Sequence, residues 1–188
     1  KELRLGGLRI NPKTNIGSRV TFYNNVKIKK LKDKNGSVNQ VSGLPDNPKL
    51  INFTWSPDET KIALTNTTEK GVELWVLDLE TASVIKLTGA ILNANIGGVI
   101  NWQPDSQSVL VKILSQNRKP LIDTSSIVPD GPTISNNYGA KAQNRTYQDL
   151  LKNKSDEYNF EQLATSSIHK VSLNGSNEKW LDDAMYRT

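Results

Sequence analysis

Residues 50–89 read LINFTWSPDETKIALTNTTEKGVELWVLDLETASVIKLTG, in which four short apolar runs alternate with turn residues. The first run stops at the Ser-Pro-Asp triplet 56–58, where proline fixes φ for a turn and aspartate can bond its own backbone. The later runs are separated by polar turns at 69–71 and 80–83. Four evenly spaced strands predict one antiparallel meander, which is the unit of a β-propeller blade.

The same unit recurs along the chain. The Trp-Ser-Pro-Asp sequence at 55–58 returns 47 residues later as Trp-Gln-Pro-Asp at 102–105, again followed by an apolar run. The closing hairpin occurs three times, at 26–31, 74–79 and 168–173. Because an isolated blade leaves its faces and edges open, this recurrence favours blades packed side by side.

We therefore predict an all-β fold, a partial β-propeller of about two and a half four-stranded antiparallel blades with a short helical insertion. Complete propellers use roughly four to eight blades, so we expect the chain to be a fragment of one propeller domain. The predicted segments are a lead-in with turns at 1–19, a partial blade at 20–43, a full blade at 50–89, and a full blade at 99–183 interrupted by an insertion at 115–162.

The partial blade and the insertion carry more detailed predictions. Apolar runs predict two strands in the partial blade, at 21–31 and 37–42. In the insertion, residues 115–140 are rich in Ser, Asn, Pro and Gly and predict an irregular loop. Two helical pieces follow, at 145–151 with Thr146 as the cap and at 155–163 with Ser155 as the cap.

Composition and charge indicate which classes of partner the chain is expected to bind. Hydrophobic residues are 36% and charged residues 23% of the chain, and there is no apolar run long enough for a membrane helix. The formal charge is +5, but the clustered lysines alternate with apolar residues, as on a strand with one solvated face. We therefore predict neither a nucleic-acid nor a membrane partner, and the cellular compartment stays open. The clustered lysines are Lys27, Lys29, Lys30, Lys32 and Lys34.

Catalytic and metal-binding patterns are absent from the sequence. The chain has one histidine, His169, and no G-x-S-x-G elbow, so no Ser-His-Asp arrangement is predicted. His169 falls in the third-strand pattern of the second blade, at the place of Trp75 in the first, and is predicted to be a strand residue. With no cysteine and no calcium loop, we predict no metal and no cofactor. The acidic pairs 156–157 and 182–183 are adjacent in sequence, so their side chains are expected to point apart.

Three stretches together resemble a known family. They are LGGLRINP at 5–12, the blade that includes 55–58 and 74–78, and Gly-Pro at 131–132 followed by RTYQDLL at 145–151. This combination is similar to the N-terminal propeller of the prolyl oligopeptidase superfamily of serine peptidases, and in particular to its bacterial and plastid glutamyl endopeptidases. The Trp-x-Pro-Asp blade alone is shared with TolB-like propellers, and the inserted segment makes the resemblance more specific.

The resemblance implies a two-domain peptidase whose C-terminal α/β-hydrolase domain carries the Ser, Asp and His. None of those positions lies in this sequence, so we expect the chain to be inactive alone. Its partners would be the hydrolase domain and peptide substrates, and its role would be to cover the active-site cleft and limit access. The alternative is a freestanding TolB-like propeller that binds a protein partner through its rim.

Two further hypotheses concern the surface. If the parent enzyme cuts after acidic residues, a cation of the insertion could bind the substrate carboxylate, and the candidates are Lys141, Arg145 and Arg118. Each of them also fits an ordinary surface or loop-anchoring charge, and no other substrate-binding residue is assigned. We also predict that open blade edges cause the isolated chain either to self-associate or to have low stability.

Overall fold

A computed structural model gives the fold of the chain. It describes residues 2–30, 32, 36–123, 131, 134, 136, 138–139 and 148–187. Within this part there are thirteen strands and one helix, and all paired strands of the sheets are antiparallel. The predicted class, a mainly β chain with a short helical insertion, is confirmed. No helix in the described ranges is both long and apolar enough to cross a bilayer.

The N-terminal segment forms a sheet of its own. Strands β1 (Leu3–Leu5), β2 (Leu8–Asn11) and β3 (Ile16–Gly17) pair in that order. This sheet takes the place of the lead-in with turns that the sequence predicts at 1–19. The chain folds back because Gly6 and Gly7 both take positive φ, 58° and 79°, which lets β1 pair with β2 across a two-residue turn.

The partial blade is much shorter than predicted. Only β4 (Lys27–Ile28) and β5 (Asn39–Gln40) pair with each other, in place of strands at 21–31 and 37–42. The reason is that flanking backbone groups bond elsewhere. Tyr23 exchanges two backbone hydrogen bonds with Leu50, of 2.9 and 2.8 Å, and the N–H of Ser42 donates to Ala82 at 2.9 Å.

The first blade has the predicted meander. Its strands are β6 (Leu50–Trp55), β7 (Lys61–Thr68), β8 (Gly71–Asp78) and β9 (Ser83–Lys86), which lie side by side in sequence order. Every residue of β7 and β8 is buried or half-buried, since both strands have a neighbour on each side and both faces of the sheet are covered.

The second blade repeats this order with an insertion. Its strands are β10 (Ile100–Trp102), β11 (Ser108–Leu114), β12 (Thr165–Ser172) and β13 (Asn177–Met185). Helix α1 (Lys154–Ala164) lies in the connection between β11 and β12. Every residue of β13 is exposed, as expected for the outermost strand of the sheet.

The turns after the two repeated tryptophans have the same backbone geometry. Ser56 N donates to Lys61 O at 2.9 Å in the first blade, and Gln103 N donates to Ser108 O at 2.9 Å in the second. The fifth residue of each motif has positive φ, 59° at Glu59 and 54° at Ser106. Trp55 and Trp102 also pair with equivalent residues of the next strand. The 47-residue repeat in the sequence is therefore a structural repeat.

The two faces of the first blade pack against different neighbours. Along β7 and β8, alternate residues belong to two separate apolar clusters, as the two-residue period of a strand requires. Leu64, Trp75 and Leu77 face Val41 of the partial-blade segment. The opposite face contributes to the core between the two blades, with Ala63, Val72, Leu74 and Val76 packing near Val109, Val111 and Ile113.

The helix of the insertion begins earlier than predicted. Its N-cap is Asn153, whose Oδ1 accepts from Asp156 N at 2.9 Å, and not Ser155. Asparagine caps a helix as well as serine does, so sequence preference alone did not decide between them. The other predicted helix, at 145–151, is only partly described. Residues 148–151 are not helical, and residues 145–147, which include the predicted cap Thr146, lie outside the described part.

Candidate functional site

The N-terminal sheet and the insertion helix form one packed unit. Leu5, Ile10 and Leu163 make a buried apolar cluster, with Phe160 against it. Gly7 N also donates to Asp149 O at 3.1 Å. Two of the stretches that carry the family resemblance, 5–12 and the described end of 145–151, are therefore neighbours in space.

Two buried asparagines of the linker between the blades hold the end of this helix. Asn93 Nδ2 donates to the carbonyls of Leu163 and Thr165, at 3.0 and 3.1 Å, and Asn95 Nδ2 donates to Leu163 O at 2.9 Å. Leu163 O lies in the last turn of α1, where carbonyls lack intrahelical partners. The linker thus fixes where the chain leaves the insertion and enters β12.

Arg118 lines a cavity of about 290 Å³ beside the insertion. Its Nη1 donates to Asn15 Oδ1, and burial lowers the pKa of the guanidinium below its usual value. The carboxylates of Glu161 and Asp183 line the same cavity. The charge of the cavity therefore does not favour an anionic ligand. The other two candidate cations, Lys141 and Arg145, lie outside the described residues.

His169 occupies the strand position that the sequence predicted. It pairs with Val111 in the register in which Trp75 pairs with Leu64 in the first blade. Both ring nitrogens have partners: Nδ1 lies 2.7 Å from Asn177 Oδ1 and Nε2 lies 3.0 Å from Ser167 Oγ.

These contacts have the connectivity of a nucleophile, a base and an orienting group. Ser167, however, is only 5% exposed, and it lines neither of the two cavities described here. A substrate carbonyl has no access to Ser167 Oγ in this arrangement. The sequence had given no reason to single out Ser167 or Asn177.

The acidic pairs have separate partners. Asp182 accepts from Lys179 at 2.5 Å, which lowers the pKa of its carboxyl, whereas Asp183 accepts from Ser115 Oγ at 2.6 Å. Asp156 and Glu157 lie in the first turn of α1, where they complement the helix dipole. No group of three metal-binding side chains was found among the described residues.

Lys112 is a titratable group in an unusual place, the interior of a sheet. It is 3% exposed in the centre of β11, and its Nζ donates to Ile96 O. Burial lowers the pKa of this ammonium to about 8, because a low-dielectric environment disfavours the charged form. The sequence signal for this buried lysine is its position within the apolar run VLVKIL at 109–114, and our predictions missed it.

A second cavity, of about 240 Å³, lies between the N-terminal sheet and the first blade. Lys13, Lys49 and Glu69 line it together with Thr14 and Thr67. Lys13 and Glu69 form an exposed ion pair of 3.8 Å, which contributes little to stability. No predicted site residue of the described ranges lines this cavity.

Comparison with known proteins gives clear relatives. A probable chloroplastic glutamyl endopeptidase of Arabidopsis thaliana is 32% identical over 187 residues, or 93% of this chain. The corresponding rice protein is also 32% identical, over 189 residues and 93% of this chain. This chain is homologous to the glutamyl endopeptidases of the prolyl oligopeptidase superfamily. No family model matches the chain.

The match covers only part of each relative, which limits what can be inferred about this chain from them. The chain spans 19% of the Arabidopsis glutamyl endopeptidase and 20% of the rice one. Among solved structures, an acylaminoacyl peptidase in complex with Z-Gly-Gly-Phe-chloromethyl ketone matches with a TM-score of 0.40 and 16% identity, over 81% of this chain and 20% of the other. The propeller assignment therefore rests on the two repeated sheets themselves.

Proposed function

We propose that residues 1–188 are a noncatalytic propeller region of a serine peptidase, which covers the active-site cleft of a separate hydrolase domain and limits substrate access. The observation that carries the proposal is the 32% identity over 93% of the chain to a probable glutamyl endopeptidase. A match of this extent includes both blades, and so it supports a common role for the region.

The chemistry of the described residues is in keeping with a noncatalytic role. The serine in contact with the histidine is buried, and the acidic pair 182–183 is bonded to neighbouring side chains. A nucleophile would have to come from another domain, as the resemblance to this superfamily implies.

A propeller can restrict access through its shape alone. The two blades pack face to face over a continuous apolar core, and close packing of this kind makes this part of the propeller rigid. A stiff rim over a cleft admits an extended peptide and excludes a folded chain of larger cross-section. Arg118, with Lys141 and Arg145, remains a proposed contact for an acidic substrate side chain, although Arg118 shares its cavity with two carboxylates.

The experiment uses the natural protein encoded by the gene. A short peptide and a folded protein that carries the same sequence in a surface loop are compared as substrates, by the rate constant for cleavage per mole of enzyme. We expect cleavage of the peptide and resistance of the folded substrate, which should become cleavable once it is denatured. Equal cleavage of both substrates would contradict the covering role. Absence of any peptide hydrolysis would contradict the peptidase assignment and favour a freestanding binding propeller.

A further inference from the structure

We call the first strand of each blade its inner strand, which is β6 in the first blade and β10 in the second. The inner strand of the second blade is covered by its neighbour. In the second blade, Trp102 Nε1 donates to the backbone carbonyl of Thr54 at 2.9 Å, so its indole bridges β10 to the preceding inner strand β6. Ile100, two residues earlier, is only 6% exposed and belongs to the core between the blades. At this position of the repeat, an inner strand lies against the preceding one.

The equivalent residues of the first blade are uncovered. Trp55 is 57% exposed and Phe53 is 37% exposed, although they stand 47 residues before Trp102 and Ile100 in the same motif. Within the part of the chain that the structure describes, the indole N–H of Trp55 has no hydrogen bond corresponding to that of Trp102. The turns that follow the two tryptophans are the same, so they do not explain the difference at Trp55. At Phe53 the strand itself also differs, because β6 has a register shift between Ile51 and Thr54.

Part of this surface already has an aromatic neighbour. Tyr23 makes an edge-to-face contact with Phe53, with ring centroids 5.7 Å apart and an interplanar angle of 76°. Its backbone pairs with Leu50 at the start of β6, yet 61% of Tyr23 is exposed. Tyr23 and Phe53 are in contact, and Trp55 lies two residues beyond Phe53 on β6; we call these three exposed aromatic residues the inner aromatic patch.

We propose that the inner aromatic patch is the docking surface for the inner strand of the partial blade, whose described strands are only β4 and β5; this inner strand is supplied by sequence outside residues 1–188. The occupant is an extended segment that offers a backbone carbonyl to Trp55 Nε1 and an apolar side chain to Phe53. The repeat dictates this geometry, since β6 does the same for Trp102 and Ile100. An extended strand is suited to the task because its carbonyls on the side away from its own sheet are free. This inference rests on the propeller architecture and not on the proposed peptidase function.

The test is solvent exposure of individual indoles in the natural, full-length protein. The chain has four tryptophans, so 5-fluorotryptophan labelling gives few ¹⁹F signals from residues 1–188. The signals of Trp55 and Trp102 are assigned with the variants Trp55→Phe and Trp102→Phe. Their exposure is then measured from the shift between H₂O and D₂O, with free 5-fluorotryptophan as the fully exposed reference and Trp102 as the covered one.

We expect Trp55 in the natural protein to show a small shift like that of Trp102, well below the shift of free 5-fluorotryptophan. A shift that corresponds to the exposed indole of residues 1–188 would overturn the proposal. Protection of Trp55 that disappears on dilution would also overturn it, because the occupant would then be a second copy of the protein. Since fluorine shifts are independent of turnover, failure of this test and failure of the peptidase proposal are distinguishable.

Discussion

Gly6 lies directly against the ring of Phe160, so close that a Cβ added to the glycine would stand 2.9 Å from Phe160 Cε2. The contact joins the turn between β1 and β2 to helix α1 of the insertion. It shows why the first residues of the chain form a sheet and not an extended lead-in. The sheet is one half of a packed unit whose other half comes some 150 residues later.

The first prediction uses a matched pair of glycines. Both Gly6 and Gly7 have positive φ, but only a Cβ on Gly6 would meet another atom within 4 Å. Gly6→Ala should therefore lower the free energy of unfolding by about 1–3 kcal/mol more than Gly7→Ala, as expected for overpacking. Urea unfolding measures both, and equal losses would mean that the contact with Phe160 is absent.

The second prediction concerns Glu73, which is 7% exposed. Its Oε2 accepts from Asn66 Nδ2 at 3.1 Å and Trp75 Nε1 at 2.9 Å, and its Oε1 accepts from Lys86 Nζ at 2.7 Å. Burial raises the pKa of this carboxyl, but the hydrogen bonds outweigh it and the net pKa is lowered. Glu73→Gln should cost about 1–3 kcal/mol near neutral pH, because the amide has one acceptor oxygen where the carboxylate has two, and at least one of these donors loses its acceptor.

The pH dependence of this loss follows from the sign of the pKa shift. A carboxyl with a lowered pKa in the folded state stabilises the protein above its ordinary pKa and loses that contribution as the pH falls through the folded value. The difference between wild type and Glu73→Gln should therefore shrink in acid. Glu69→Gln is the control, since Glu69 is 89% exposed and should change stability by less than about 0.5 kcal/mol. A pH-independent difference would contradict the account of Glu73.

The third prediction concerns the buried Lys112. Its pKa of about 8 in the folded state lies below its ordinary value of 10.5, so the unfolded chain binds more protons between these values and stability should rise with pH there. Below pH 8, burial of the charge costs about 3 kcal/mol. Lys112→Met should therefore be more stable than wild type at pH 7, with a gain that narrows by about pH 10.

The matched control for Lys112 is Lys70→Met, because Lys70 is exposed on a turn. Its effect on the unfolding free energy should stay within about 0.5 kcal/mol at every pH. Destabilisation of Lys112→Met at pH 7 would show that the hydrogen bond to Ile96 O outweighs the cost of burial.

The fourth prediction concerns Asn93, whose loss should affect mainly the end of helix α1. Asn93→Ala removes the hydrogen bonds to Leu163 O and Thr165 O, and should cost about 1–3 kcal/mol because Thr165 O loses this donor and Leu163 O keeps only that of Asn95. Amide hydrogen exchange should accelerate in α1 more than in β7 or β8. Substitution of the exposed Asn101 by Ala is the control. Uniform acceleration throughout the chain would argue against a specific role of Asn93 in holding the helix.

Local chemistry explains which features the sequence could predict. The Trp-x-Pro-Asp turns and the meander of four strands at 50–89 depend on residues close in the chain, and both were predicted. The N-terminal sheet depends on Phe160, and the shortened partial blade depends on backbone bonds to Leu50 and Ala82. These partners are distant in sequence, and periodicity contains no information about them.

The two tryptophans of the repeat show that the sequence motif also does not predict which residues are exposed. The motif predicts the same turn at Trp55 and Trp102, but it does not say that one indole is bonded to the preceding strand while the other is exposed. The partners of His169 were missed for a similar reason. Ser167 is two residues away on the same strand, and Asn177 is brought beside it by the pairing of β12 with β13.

The central claim is that this chain supplies no catalytic nucleophile to the peptidase of which we propose it to be a part. Labelling of the natural protein with a fluorophosphonate probe, followed by mapping of the modified residue by mass spectrometry, tests it most directly. The account predicts one labelled serine outside residues 1–188, with Ser167 unmodified because it is buried beside His169. A label on Ser167, or on any other serine of these residues, would contradict it.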